Sequence, residues 1–499
     1  MSLLGGVALA VAWLFPGGFL CAALGWVAAF CFVHVLLRAP YNRAIRPYRL
    51  CWMYGVTAIA IAFSWLSRTI AIFSGLPGSV AMLVFCLFVV GSALQFPLTH
   101  GCAIRLPRWF HQWGLTYPLG WVAGEMIAPR IFPWHLGHTQ LAIRPLALSA
   151  SFAGACPISF LMIWVATTLS IAITGRWYRP LYAALITLII ALGYGYEELR
   201  SYDAAPHAPL SVSLVQANVS LERKHDIAFF SANVESYRSL SRDLPATTQL
   251  VVWPETVIQE YIPDTIRHRN QTNRLPPPLS SQDLLLGSLT FTATDRPRNS
   301  ALIMEPNGSI APAYHKQILM PFGEYTPFSD LFPSIAALND RVANFAAGEG
   351  PVVTPLSAEP AAKLAPLICY EDTVPSLSRD AVRAGATILA SLSNDAWFGD
   401  SAAPNQHELI AAFRSIETRR TLLRSTNTGT TGIIDPVGRS LGRLPSFSEG
   451  VLSRSVPLIQ NSNTPFTRLW GEWPTRVLGW GAALWALLMI VRERRSTGC

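Results

Sequence analysis

Charge is the scarce commodity of this chain. Only 14% of its 499 residues are charged, while 51% are hydrophobic and 16 are tryptophan. A chain this long and this poor in charge is not one soluble core. It fits an integral membrane protein with a substantial water-exposed part. Acidic residues are the scarcer sign, 30 against 38 basic, for a formal net charge of +8. The excess does not require nucleic acid, because much of the arginine borders apolar segments, where membrane topology explains it. Paired cysteine is lacking too. Seven of the eight cysteines (21, 31, 51, 86, 102, 156 and 499) lie in apolar segments, at their edges or at the extreme tail, and suggest no disulfide framework. No G-x-S-x-G elbow and no G-x-x-x-x-G-K-[ST] loop occurs, which leaves a serine hydrolase and a P-loop NTPase without support.

What is present divides abruptly. Residues 1–200 are almost continuously apolar, with expected spans near 2–15, 19–37, 51–72, 78–98, 115–131, 147–174 and 180–196. Met1–Val11 holds no lysine or arginine, which argues against a cleaved signal peptide. Residues 205–460 carry nearly all the acidic side chains, and a last apolar helix is expected over 475–492. The expectation is therefore a polytopic α-helical membrane domain of eight spans, with one α/β domain between the seventh and eighth. With the N-terminus inside, the inside loops and tail hold eleven arginines (38, 43, 46, 49, 105, 108, 176, 179, 492, 494 and 495). The short outside loops and adjoining span ends hold three, Arg68, Arg130 and Arg144. That bias puts both termini in the cytoplasm and the large domain on the other side.

Within 205–460, apolar runs predict strands at Leu210–Gln216, Leu250–Trp253, Leu284–Leu289, Ala301–Met304, Leu364–Cys369 and Thr387–Ser391. Asp226–Leu244 and His407–Thr421 show helical spacing, and the alternation argues a layered α/β domain. Cys369 is the only cysteine of this block, so it has no disulfide partner there. No cysteine or histidine stands near it at metal-ligand spacing, and it is a candidate nucleophile. Taken alone, it reads more readily as a buried structural cysteine. Glu255, at the tip of Val252-Trp253-Pro254-Glu255, would by itself read as a structural strand-end residue. Lys316 follows Tyr314-His315, and Pro321-Phe322-Gly323-Glu324-Tyr325 comes next.

Together, Glu255, Lys316 and Cys369 resemble the Glu-Lys-Cys triad of the nitrilase superfamily, whose domain is an αββα sandwich. Pro-Phe-Gly-Glu-Tyr-Thr-Pro after the lysine and Ser393-Asn394-Asp395-Ala396-Trp397-Phe398-Gly399 after the cysteine sharpen the match. With Arg424-Ser425-Thr426-Asn427 and the flanking spans, nearly the whole chain resembles the apolipoprotein N-acyltransferase family. Phe132-Pro133-Trp134 and Gln140 resemble a less specific membrane segment of that family. The resemblance implies a general base at Glu255, oxyanion and thiolate stabilisation by Lys316, and a nucleophile at Cys369. It implies supporting places for Glu324, Glu371, Tyr370 and Asn299, with no metal and no cofactor. It implies as partners a phospholipid acyl donor, diacylglyceryl-modified apolipoproteins and the lipid bilayer of a bacterial inner membrane, with the catalytic domain periplasmic.

Ala217, His225, Ile318 and Gln259 depart from the family's usual residues, and none is a triad member. His135 and His138 stand three apart in a Trp- and Pro-containing loop with no neighbouring carboxylate in sequence, a poor metal site. Arg419-Arg420 reads as a solvated face or as salt-bridge partners. Pro327–Gly348, with Phe328, Leu331, Phe332 and Phe345, is the expected lid. Two alternatives stand beside acyl transfer: a membrane-tethered hydrolase of the same fold, and a non-catalytic scaffold.

Overall fold

The computed structural model describes residues 1–39, 45–75, 77–130, 132–292, 296–321, 323–325, 344–460 and 464–497. Among the described residues, thirteen strands lie between Ala208 and Leu458 and form two sheets. The first sheet runs β13 (Gly450–Leu458), β1 (Ala208–Gln216), β2 (Leu250–Val252), β4 (Asp283–Phe291), β5 (Pro297–Met304), β6 (Tyr314–His315), with β3 (Ile258–Pro263) against β4. The second runs β12 (Ser440–Arg443), β11 (Gly432–Ile434), β10 (Thr421–Thr426), β9 (Ile388–Ser393), β8 (Lys363–Ile368), β7 (Thr354–Pro355).

The sandwich follows from alternation along the strands. Leu210, Val212 and Leu214 of β1 turn to one face and pack with Leu364, Ile368, Leu392 and Leu423 of the other sheet. Val215 turns to the opposite face and joins Val251, Leu284 and Tyr237, the last on helix Phe230–Leu240. Each fully buried aliphatic side chain contributes roughly 1.5–3 kcal/mol. The parallel strands β8, β9 and β10 are covered on both faces; the apolar runs of β8 and β9 were expected as strands, whereas β10 carries buried Thr421, Arg424, Ser425 and Thr426 and was not.

The outer layer of the second sheet is shared with the membrane part. Helix Ala403–Thr418 places Leu409, Ile410, Phe413 and Ile416 in one continuous core with Trp13, Phe63 and Trp65 of the apolar N-terminal helices. Its Gln406 accepts from Trp65 Nε1 at 3.0 Å and donates to the carbonyls of Trp13 (3.0 Å) and Ala62 (2.9 Å). The two parts are thus welded by packing and by satisfied polar groups.

Five helices among the described residues are long and apolar enough to cross a bilayer: Phe19–Leu37, Gly78–Ala103, Cys156–Gly175, Arg179–Ala204 and Trp473–Arg495. Arg46–Ala62 and Leu66–Ile72 make a sixth if taken together, bent by 56°. Two expected spans are shorter than read from sequence. Ser2–Leu14 has 13 residues and Thr116–Ile127 has 12. At 1.5 Å per residue they reach only about 20 Å and 18 Å of a roughly 30 Å hydrocarbon core. The span expected to begin at 147 begins at Cys156, because 136–153 fold into short helical turns that pack inward. Arg419 and Arg420 are buried rather than solvated. Arg419 pairs with Glu198 at 2.7 Å, while Arg420 donates to the Ala386 carbonyl at 2.9 Å.

Candidate active site

Three strand ends deliver the reactive groups. After β2 the chain turns sharply, and Gly287 of β4 lies against that turn so closely that a Cβ there would collide with the backbone of Pro254, Glu255 and Thr256. Gly287 N donates to the Pro254 carbonyl at 3.0 Å, and Lys224 Nζ donates to the Glu255 carbonyl at 2.9 Å. The Glu255 carboxylate then points at Asn299 and Lys316. Asn299 Nδ2 lies 2.8 Å from Glu255 Oε1 and 2.9 Å from Glu324 Oε1. Lys316 Nζ is 3.7 Å from Glu255 Oε1 and 2.9 Å from Glu324 Oε2. Lys316 is itself seated by main-chain bonds, its N–H on the Asn299 carbonyl (2.8 Å) and its carbonyl on Gly348 N–H (2.8 Å).

Cys369 follows β8 and opens the tight turn Cys369–Thr373. Its φ of +54° lies in the left-handed region, where a side-chain-bearing residue is strained. Glu371 holds that turn. Its carboxylate accepts from Ile368 N (2.8 Å), Gln317 N (2.6 Å), Ile318 N (3.1 Å) and Tyr314 OH (2.7 Å). One buried side chain therefore ties the lysine's loop to the cysteine's turn. Asp372 faces the other way and accepts from His407 Nε2 (2.6 Å), Arg424 Nε (2.9 Å) and Ser391 Oγ (2.8 Å). Tyr370 stacks its ring at a tilt on Phe132, 6.2 Å between centroids, and so touches the membrane part.

The charges explain the protonation states. Burial alone would lower Lys316, but the Glu324 and Glu255 carboxylates raise it well above the ordinary lysine range, so it remains a cation. Burial, then the Glu255 charge, push the Cys369 thiol far above its usual value, with Lys316 pulling the other way. At rest Cys369 is a thiol, and a nucleophilic role would need a base to take its proton. Burial pulls Lys224 down to about 8, against the charges of Glu255 and Cys369.

All seven residues singled out from sequence have described positions. Glu255, Lys316, Glu324 and Asn299 form one hydrogen-bonded group. Cys369 stands within its electrostatic field, Glu371 buttresses both loops, and Tyr370 turns toward the membrane helices. Most of the expected lid, including Phe328, Leu331 and Phe332, lies outside the described residues. Phe345, where description resumes nearby, donates its N–H to the Glu324 carbonyl at 2.8 Å.

Sequence reasoning passed over three contributors. Lys224 is a buried cation at the Glu255 backbone. Asn427 knits three strand ends, accepting from Val219 N (3.0 Å) and Tyr237 OH (2.7 Å) and donating to Asn394 Oδ1 (3.1 Å). His135 does meet a carboxylate. Glu125 arrives from another helix, with Oε2 2.6 Å from His135 Nδ1 and 3.4 Å from Cys156 Sγ. Trp121 Nε1 (2.8 Å) and the Leu136 N–H (3.4 Å) reach the other Glu125 oxygen, Oε1.

The carbon-nitrogen hydrolase model matches residues 211–464, and the model of the apolipoprotein N-acyltransferase N-terminal domain matches residues 5–168. An apolipoprotein N-acyltransferase of Geobacter metallireducens is 31% identical over 99% of this chain and 95% of its own length. The chain belongs to the apolipoprotein N-acyltransferase family. Membership makes it an enzyme, an N-acyltransferase built on a carbon-nitrogen hydrolase domain. The same-named protein of Azotobacter vinelandii is 32% identical over 90% of this chain and 87% of its own. The crystal structure of Nit3 from Saccharomyces cerevisiae, a nitrilase-superfamily protein, is 17% identical, covering 50% of this chain and 90% of its own at a TM-score of 0.36.

Proposed function

We propose that the protein transfers a fatty acyl chain from a membrane phospholipid to the α-amino group of a lipid-modified N-terminal cysteine on apolipoproteins, in two half-reactions through a Cys369 thioester. In the first, Glu255 takes the thiol proton as Sγ attacks the ester carbonyl carbon. The S–C bond forms, Lys316 stabilises the oxyanion, and the C–O bond breaks. The proton passes from Glu255 to the leaving alkoxide, which departs as a lysophospholipid. In the second, the amine attacks the thioester carbonyl and the C–S bond breaks. Glu255 receives the amine proton and the thiol is restored. Glu324 keeps Lys316 charged, Asn299 aligns the two carboxylates, and Glu371 and Tyr370 fix the nucleophile's turn.

The observation that carries this reading is the buried group of Glu255, Lys316, Asn299 and Glu324, with Glu371 tying the lysine's loop to the turn of Cys369. The domain division at 1–200, 205–460 and 475–492 belongs to the same proposal. So do eight crossings, with Ser2–Leu14 and Thr116–Ile127 as short ones packed among longer helices. The arginine bias favours cytoplasmic termini and a periplasmic catalytic domain in a bacterial inner membrane. The fused core supports a catalytic domain held at the lipid surface, where both substrates reside.

Phospholipid with a labelled acyl chain should give a hydroxylamine-labile label on the wild-type protein and none on Cys369→Ala. A diacylglyceryl-cysteine peptide should discharge that label as amide. Discharge only as free fatty acid would favour a hydrolase, and equal labelling of Cys369→Ala would end the thioester reading.

A further inference from the structure

Away from the triad, the catalytic domain has a cavity of about 410 Å³ lined by Val382, Arg383, Gly385, Arg420, Gln460, Thr467 and Arg468. Three of these carry guanidinium groups, and no carboxylate is among the described side chains that line it. None of Glu255, Lys316 and Cys369 lines it either. The arginines are placed by the fold. Arg383 Nε donates to the Thr467 carbonyl at 2.6 Å, and Arg420 is anchored on the carbonyls of Ala386 (2.9 Å) and Arg419 (3.0 Å). Burial pulls Arg420 down to about 10. Three guanidinium groups lining one cavity make it a setting that favours an anion.

The cavity also has an address. Arg468 belongs to Phe466–Trp470, the turn that leads directly into the candidate span Trp473–Arg495. Leu469 and Trp473 are exposed at 61% and 64%. Trp470 stacks edge-on against the exposed Phe152 at 5.1 Å and donates its indole N–H to the Phe152 carbonyl at 2.8 Å. Tryptophan and apolar side chains at the mouth of a span mark the headgroup level of a bilayer. Arg468 therefore stands at the mouth of the candidate span, beside apolar side chains able to meet acyl chains.

We propose that this cavity binds the phosphate group of an anionic phospholipid, at a site separate from the catalytic centre. Guanidinium forks match phosphate oxygens, and the absence of a lining carboxylate leaves no partner for the ammonium of a zwitterionic headgroup. Such a lipid would pin the catalytic domain to the surface at the base of the last span.

The test uses the full-length protein in detergent, with short-chain phosphatidylglycerol, short-chain phosphatidylethanolamine and inorganic phosphate as probes. Thermal unfolding is the readout. Phosphatidylglycerol should raise the wild-type midpoint more than the zwitterionic lipid does, and inorganic phosphate should act only weakly. In Arg468→Ala the apparent affinity for phosphatidylglycerol should fall roughly tenfold. Arg468→Lys should retain part of it, and Arg383→Ala with Arg468→Ala should abolish it. Thioester formation at Cys369 should persist in Arg468→Ala, which separates this site from the catalytic one. The proposal is overturned if Arg468→Ala and its combination with Arg383→Ala bind phosphatidylglycerol like wild type, if wild type does not bind phosphatidylglycerol, or if inorganic phosphate binds as tightly as the lipid.

Discussion

Glu371 Oε1 accepts the main-chain N–H of Gln317 at 2.6 Å, so the residue after the site lysine hangs from the carboxylate two residues past the site cysteine. With Ile368 N and Tyr314 OH on the other oxygen, the carboxylate is fully engaged in a dry setting. Glu371→Gln replaces one acceptor oxygen with an NH2 that faces donors. Breaking this buried network should cost about 2–4 kcal/mol of stability, readable by thermal unfolding. Thioester formation should slow in the same variant under conditions where it remains folded. An unchanged rate there would show that the two loops hold their places without the clamp.

His407 predicts a pH dependence of stability. Burial disfavours its charge, but Asp372 at 2.6 Å raises it to about 9, aided by Asp395 and opposed by Arg424. A folded value above the ordinary 6.5 means that the native state holds the proton more tightly than the unfolded chain. The contribution is complete below pH 6.5 and is lost as pH rises through about 9. Its slope approaches about 1.4 kcal/mol per pH unit in that window. Denaturation midpoints of wild type should therefore fall between those pH values more steeply than those of His407→Gln. Parallel profiles would remove His407 as the source.

Lys224 predicts a pH dependence of rate. It is charged below about 8 and neutral above, because burial outweighs the charges of Glu255 and Cys369. While charged, it favours the thiolate of Cys369 and braces the Glu255 backbone. The ratio of thioester-formation rates, wild type over Lys224→Met, should be roughly tenfold below pH 8 and should shrink as pH rises past it. A ratio that does not vary with pH would make the lysine a packing residue only. Its stability effect has the opposite sense to that of His407. A depressed lysine penalises the folded state while charged, and that penalty lifts as pH rises from about 8 toward 10.5.

The strands were legible where buried residues are also apolar in a run; β10 (Thr-Leu-Leu-Arg-Ser-Thr) is equally buried but polar, and it was not expected. Leu364–Cys369 was expected and Lys363–Ile368 is observed, with the cysteine just beyond the strand. Leu250–Trp253 likewise ends at Val252, one residue short. The short strands β6 and β7 carried no signal, since two residues show no period. Helix Ala403–Thr418 was expected four residues late, because buried Gln406, His407, Arg414 and Glu417 interrupt its apolar pattern. Of these, Gln406 bonds across the domain boundary, while His407 and Arg414 bond to Asp372 and to the Thr373 carbonyl of the cysteine's turn. The span count was the least legible quantity. Apolar composition marks a segment as buried but does not separate a short helix wrapped in protein from one that crosses lipid.

Gln406 and Arg439 allow the weld between the two parts to be weighed against an exposed bridge. Arg439 meets Asp203 with two bonds of 2.7 Å, but both side chains are well exposed. Solvent screening limits such a pair to about 0–1 kcal/mol, so Asp203→Asn should barely move the unfolding midpoint. Gln406 is buried, and its amide satisfies an indole N–H and two main-chain carbonyls drawn from the apolar helices. Gln406→Leu keeps the volume but strands all three, at about 1–3 kcal/mol for each group left unsatisfied. Its midpoint should fall clearly, and protease should release the catalytic domain faster than from wild type. Combining it with Trp65→Phe, which removes one of the stranded donors, should recover part of the loss, and strict additivity of the two changes would show that the hydrogen bond between them carries no coupling.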